Sequence, residues 1–265
     1  MPRPSSCEIL VPRNTQNSLA FFCSILTSMG LVVPAVLPSS RNDLEEKLDL
    51  FSQVPSVDRV QIDVVDGHFA SPASWPYSAP KELRTMIEQD EMLPHLDRFE
   101  YEIDLMCLDA ERAAEAWLAL GVSRLTFHAE GASDLPRLLA SARRRYGASG
   151  LAPLISFGLA LNIASDLALV ESCLDEIEYV QLMGIAQIGR QGQPFDQNVF
   201  EKVRIFHARH PEIPLQVDGG ISLENAKKLV ALGVSKLIIG SAIMHAGDPA
   251  ESVRAFEEIQ SPYGV

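Results

Sequence analysis

Eight times between residues 31 and 259, a short run rich in Val, Ile and Leu is followed by a longer stretch whose apolar residues recur every three or four positions. The short runs fall at 31–37, 59–65, 99–106, 123–128, 153–161, 178–183, 215–218 and 236–240. The longer stretches fall at 42–52, 79–89, 110–120, 133–146, 166–173, 195–209, 223–232 and 249–259. Helical periodicity alternating with near-continuous β-branched runs predicts strands buried on both faces, hence a parallel sheet covered by helices. Eight such units predict closure into a (β/α)8 barrel rather than an open doubly wound sheet. No linker or compositional break divides 30–265, which reads as one barrel domain.

Residues 1–29 follow a different pattern. Arg3 and Arg13 precede an apolar run at 19–26 that is too short to span a bilayer. The segment reads either as an N-terminal extension or as a start assigned too early, with Met29 the other beginning. A targeting peptide is the third reading.

Within the apolar runs, three carboxylates stand out. Asp63 lies inside the second run just before the turn dipeptide Asp66-Gly67, Asp104 lies in the third, and Asp218 ends the seventh ahead of Gly219-Gly220. A charge in a buried strand is unfavourable unless it is paired, metal-bound or used in chemistry. In a barrel of this kind the C-terminal strand ends carry the catalytic groups. Three acids converging there require a cation, a shared proton or a substrate that needs them, and two at facing strand ends fit proton transfer. His128, Asn162 and Met183 also fall at strand ends. A single polar residue there caps a loop as readily as it does chemistry.

Gly219-Gly220 and Gly240-Ser241 follow the seventh and eighth runs. Glycine lets backbone N–H groups approach an anion, and these two loops together predict a phosphate site. The 22 Lys and Arg against 35 Asp and Glu give a net charge of −13, which argues against nucleic acid and anionic membrane surfaces as partners. A small phosphorylated substrate held by backbone N–H groups is compatible with that charge. Cys7, Cys23, Cys107 and Cys173 are scattered, with neither zinc-site nor disulfide-framework spacing. This usage predicts a reducing, cytoplasmic setting.

Taken in order, several segments resemble the ribulose-phosphate 3-epimerase family across almost the whole of 31–259. They are Val33-Pro34-Ala35-Val36-Leu37, Gln61 to Phe69, Glu102-Ile103-Asp104-Leu105-Met106, Thr126-Phe127-His128, Leu161-Asn162, Gly192-Gln193-Pro194-Phe195, Val217 to Ile221, and Gly240-Ser241-Ala242-Ile243. The resemblance implies a phosphate-binding TIM barrel that inverts C3 of a ketose phosphate, interconverting D-ribulose 5-phosphate and D-xylulose 5-phosphate in the pentose phosphate pathway. It assigns proton removal and return, through an enediolate, to Asp63 and Asp218. One base reaches only one face of a planar intermediate, so two are needed. It further implies substrate contacts from Ala35, Met106, His128, Met183, Gly192, Gln193, Gly219, Gly220, Gly240 and Ser241, and assembly into homo-oligomers.

The departures from that family cluster at the metal. Gln61 and Asp104 stand where its two histidine ligands are expected, and Ala35 replaces a serine. The sixth loop reads Ala186-Gln187-Ile188-Gly189-Arg190-Gln191-Gly192-Gln193 in place of a Pro-Gly-Phe-Gly-Gly type of sequence. A shell of Gln61, Asp63, Asp104 and Asp218 offers only oxygen, which favours magnesium or manganese over zinc. Two other readings stay open: a different enediolate reaction on a sugar phosphate, such as an aldol-type lyase or decarboxylase, and a sugar-phosphate sensor without turnover.

Overall fold

The computed structural model describes residues 30–146 and 155–259. The reading of 1–29 as an extension or early start, and the first residues of the fifth apolar run, lie outside the described residues. The elements run β1 (Val32–Val36), α1 (Arg41–Ser52), β2 (Arg59–Val65), α2 (Pro80–Glu88), β3 (Glu100–Met106), α3 (Ala110–Leu118), β4 (Arg124–His128) and α4 (Leu135–Tyr146). They continue with β5 (Ser156–Leu161), α5 (Ala168–Glu171), β6 (Tyr179–Met183), α6 (Asn198–Arg209), β7 (Leu215–Asp218), α7 (Leu223–Ala231), β8 (Lys236–Ile239), α8 (Ser241–Met244) and α9 (Pro249–Glu257). All eight strands pair in parallel with their sequence neighbours, and β8 closes onto β1 through Val32↔Leu237 and Val33↔Ile238. The expected (β/α)8 barrel is the observed one.

The alternation of side chains along each strand divides the buried residues in two. Facing the helices are Val60, Ile62 and Val64 of β2, Ile103 and Leu105 of β3, and Leu159 and Leu161 of β5, packed with Leu44, Leu48 and Phe51 of α1 and their counterparts around the ring. The other register points into the barrel. There Val33, Ala35 and Ile238 form a small apolar cluster of their own. Most other inward positions are polar and buried: Gln61, Asp63, Glu102, Asp104, Thr126, His128, Gln181, Gln216 and Asp218.

Local signals set the helix ends. The Ser40 hydroxyl accepts from the Asp43 N–H at the start of α1, and Ser222 does the same for Asn225 at the start of α7. Gly121, at φ +92°, follows α3 in the left-handed region where glycine is favoured. The helix after β6 starts three residues later than expected, at Asn198, and two larger differences follow. The fifth helix shrinks to Ala168–Glu171 followed by a short 3-10 turn, Leu174–Glu176, and Lys202 of α6 donates to the carbonyls of Asn162, Ile163 and Ser165 in the loop that precedes it. The extra short helix α8 at Ser241–Met244 is absent from the sequence pattern; it begins directly at the loop after β8.

Candidate active site

The C-terminal ends of the strands open on a cavity that gathers residues far apart in sequence. Its wall includes Ala35 of β1, Asp63 of β2, Met106 of β3, Met183 of β6, Asp218 of β7, the loop residues Gly192 and Gln193, and Gly219, Gly220, Gly240 and Ser241. Nine of the ten residues expected to contact substrate, and both expected acid–base residues, thus line one space. His128 does not; its side chain is buried against Asp104 and Phe69 and borders a separate cavity with Cys107, Gly131 and Arg137.

Register explains the acids. Asp63 and Asp104 are direct partners across β2 and β3, and Met183 pairs with Asp218 across β6 and β7. One oxygen from each of Asp63, Asp104 and Asp218 lies within 4.8 Å of the others. Asp63 and Asp218 reach the cavity with 7% and 8% of their surface exposed, whereas Asp104 is at 0% and does not line it. That difference singles out Asp63 and Asp218 as the pair able to touch a substrate.

Amides bridge the carboxylates. Gln61 Nε2 donates to Asp63 Oδ1 at 2.9 Å and to Asp218 Oδ2 at 3.2 Å. Gln181 Nε2 donates to Asp104 Oδ2 at 3.1 Å and to Asp218 Oδ2 at 3.3 Å. His128 Nε2 stands 3.0 Å from Asp104 Oδ1, a charge contact without the alignment of a hydrogen bond. Burial by itself lowers the imidazole's affinity for a proton, but Asp104 more than reverses this and the His128 pKa is raised.

The two cavity acids hold their protons more tightly than ordinary carboxylates. Burial first, and the charge of Asp104 second, push Asp63 up to about 8. Burial, then Asp63 and Asp104, push Asp218 well above its usual range. Two such groups facing each other titrate as a pair rather than as independent carboxylates. One conjugate acid and one base side by side is the state a two-base proton transfer starts from.

The three carboxylates are also the cluster of described residues that could share one metal ion. Their donor set fits a hard cation, and Asp104 Oδ1 and Gln61 Oε1 are buried without hydrogen-bond partners. Gln61 turns its nitrogen, not its oxygen, toward the acids, so it would ligate only with its amide turned over.

Gly219 and Gly220 have φ of +105° and +68° and open the capped start of α7. The reason for glycine differs between the loops. A Cβ on Gly220 would fall 2.8 Å from the backbone of Phe195, so that glycine is demanded by packing. A Cβ on Gly240 would meet the Gln191 amide at 2.5 Å, at the cavity wall. Gln191 itself donates to the Ala35 carbonyl at 3.2 Å and bridges the sixth loop to β1. Arg190 lines the same cavity while its Nε donates to the Ser71 carbonyl.

Sequence reasoning missed Gln181, Gln216 and Gln191. The first two had a readable signal, since each lies two residues before an expected cavity residue and therefore on the same face of its strand. Gln191 had none, because its contact depends on how the sixth loop folds over β1.

A closed parallel barrel with paired acids at its mouth and glycine loops after its last two strands defines a (β/α)8 protein with an acid-lined cavity at the C-terminal strand ends. Comparison with known proteins narrows this further. Residues 31–244 match the ribulose-phosphate 3 epimerase family, and the chain belongs to that family. It is similar to the ribulose-phosphate 3-epimerase of Buchnera aphidicola subsp. Baizongia pistaciae, 26% identical over 234 residues, 86% of this chain and 95% of that one. The Escherichia coli K12 protein of the same name is 25% identical over 235 residues, covering 87% and 95%. Among solved structures, the fold resembles KGPDC from Streptococcus mutans at TM-score 0.60 and 15% identity, covering 87% of this chain and 97% of that one. It also resembles 3-hexulose-6-phosphate synthase from Salmonella typhimurium at TM-score 0.60 and 19% identity, covering 86% and 97%.

Proposed function

We propose that this protein is an epimerase acting at C3 of a ketose phosphate, interconverting D-ribulose 5-phosphate and D-xylulose 5-phosphate in the pentose phosphate pathway. The observation that carries the reading is the pair Asp63 and Asp218: both reach the cavity, both have raised proton affinity, and both sit beside the loops suited to phosphate. In this reading one aspartate, as its carboxylate, removes the C3 proton. The other, as its acid, returns one to the opposite face of the enediolate. Ala35, Met106 and Met183 pack against the sugar and exclude water, and Gly192, Gln193, Gly219, Gly220, Gly240 and Ser241 hold the phosphate. His128 contributes through Asp104.

Asp63, Asp104 and Asp218 would hold a divalent cation, magnesium or manganese in preference to zinc, because every available donor is oxygen. Such an ion supplies Lewis-acid stabilisation of the enediolate oxygens. The reading also takes the protein to be cytoplasmic and homo-oligomeric. Among the described residues no helix is long and apolar enough to cross a membrane, and Cys107 and Cys173 are buried free thiols.

The deciding experiment incubates the purified protein with D-ribulose 5-phosphate in deuterium oxide. D-xylulose 5-phosphate carrying deuterium at C3 is the expected product. Cleavage of the substrate's C3–C4 bond into a three-carbon ketone and a two-carbon aldehyde phosphate would establish an aldol-type lyase instead, and ligand-induced thermal stabilisation without turnover would establish a sensor.

A further inference from the structure

Beneath the cavity acids the barrel holds a second polar layer that the proposed chemistry does not use. At its centre is Glu102, fully buried in β3. Arg124 Nε stands 3.1 Å and Arg59 Nη1 3.8 Å from Glu102 Oε2. The Thr126 hydroxyl donates to Oε1 at 2.9 Å while receiving the Tyr179 hydroxyl at 2.8 Å. Glu102 is therefore an anion toward which donors converge.

That anion removes the freedom of the amides above it. A carboxylate only accepts, so Gln216, 2.5 Å from Glu102 Oε1, presents its NH2 group there. The same NH2 reaches Gln181 at 2.7 Å, and its partner must be the Gln181 oxygen. Gln181 is left with its own NH2 directed at Asp104 Oδ2 and Asp218 Oδ2. Either amide could in principle be turned over. Turning Gln216 would set its oxygen against the Glu102 carboxylate, and turning Gln181 would leave its NH2 group facing the NH2 group of Gln216.

We propose that Glu102, Gln216 and Gln181 form a one-way hydrogen-bond relay whose task is to position the carboxylates of Asp104 and Asp218, with Glu102 and Gln216 acting only through Gln181. The catalytic consequence rests on the reading of Asp218 as a proton-transfer group. Donors held on Oδ2 fix the plane of the Asp218 carboxylate and leave its other oxygen for the substrate. Pre-orientation of this kind lowers the barrier without any contact between the relay and the sugar. The three are positioning residues.

Two measurements test the relay. The first needs no substrate: hydrogen exchange of the glutamine side-chain amides, followed by NMR on protein labelled with 15N at glutamine. The Gln181 NH2 is expected to exchange slowly in the wild type and at least about tenfold faster in Gln216→Leu, while β6 backbone exchange stays unchanged. Unchanged Gln181 exchange in Gln216→Leu overturns the relay.

The second is turnover of the ketose phosphate. Gln181→Leu and Gln216→Leu should each lower kcat about tenfold with KM within about twofold, and the double variant should be no worse than Gln181→Leu alone. Gln216→Glu keeps the shape but offers Gln181 an acceptor, which turns that amide over. It should fall below Gln216→Leu. A packing role predicts the reverse, with the isosteric Glu mildest and the two Leu losses additive, and that result rejects the proposal. Should Gln216→Glu not fold, the two Leu variants and their combination still decide. If the wild type turns over no ketose phosphate, the proton-transfer reading fails while the exchange measurement still judges the relay.

Discussion

The inside and the outside of the same barrel wall are built from opposite chemistry. Outward, β2 presents Val60, Ile62 and Val64 to the helices; inward, it presents Arg59, Gln61 and Asp63. The outer layer is close-packed and apolar, and such layers supply most of a fold's stability. The inner layer buries carboxylates, amides, arginines and an imidazole in a space that apolar side chains could fill. Buried polar networks of this kind are seldom stabilising compared with well-packed apolar replacements. The division teaches that stability and chemistry were assigned to alternate residues of the same strands.

The sharpest way to break the comparison is to neutralise the inner acids. Asp63→Asn and Asp218→Asn are expected to lower kcat by at least about 100-fold, the scale of general acid–base catalysis, while the thermal midpoint holds or rises. A variant retaining near-normal turnover would remove its aspartate from the mechanism. The outer layer should answer in the opposite sense. Leu48→Ala empties a fully buried position and should lose about 2–5 kcal/mol in urea unfolding, with kcat of the folded protein unchanged.

The pH dependence of stability separates the two layers again. Asp63 ordinarily titrates near 3.8 and is pushed up to about 8 in the fold. Its contribution is therefore complete below the unfolded value and is lost as pH rises through about 8. In chelator, wild-type urea stability should fall by an amount on the order of a few kcal/mol between about pH 5 and pH 9. Asp63→Asn should flatten that slope, and an unchanged slope would show that Asp63 does not carry it.

The glycine loops sharpen the comparison at the cavity wall. Gly240 has φ −95°, which any residue can adopt, and its Cβ would displace the Gln191 amide, the end of a flexible side chain. Gly240→Val should therefore raise KM for the phosphorylated sugar about tenfold without unfolding the protein. Gly220→Val should instead destabilise the fold, because its Cβ strikes the Phe195 backbone at positive φ. Equal losses of stability in both would cancel the distinction. The smallest effect is expected for Arg190→Ala, an exposed side chain held by one carbonyl, with KM changed by no more than about threefold.

Much of this is legible in the chain alone. The eight-fold alternation names the barrel, and the acids interrupting apolar strands mark Asp63, Asp104 and Asp218. What is not legible follows from closure. His128 ends its strand as Asp218 does, yet it does not line the same cavity, its ring being buried against Asp104 of β3 and packed on Phe69. Gly220 carries a phosphate argument in the sequence and is required in the structure by the backbone of Phe195.

By itself, then, the sequence determined which residues share a strand face, since a period of two is local and needs no knowledge of the partner strand. It also placed the glycines and acids at strand ends. Which inward residues meet across the barrel was left to the tertiary structure. Gln216 reaches Glu102, 114 residues away, and Gln61 reaches Asp218 across 157. Those contacts depend on strand tilt and on the stagger with which β8 closes onto β1, and both are properties of the whole ring rather than of any segment.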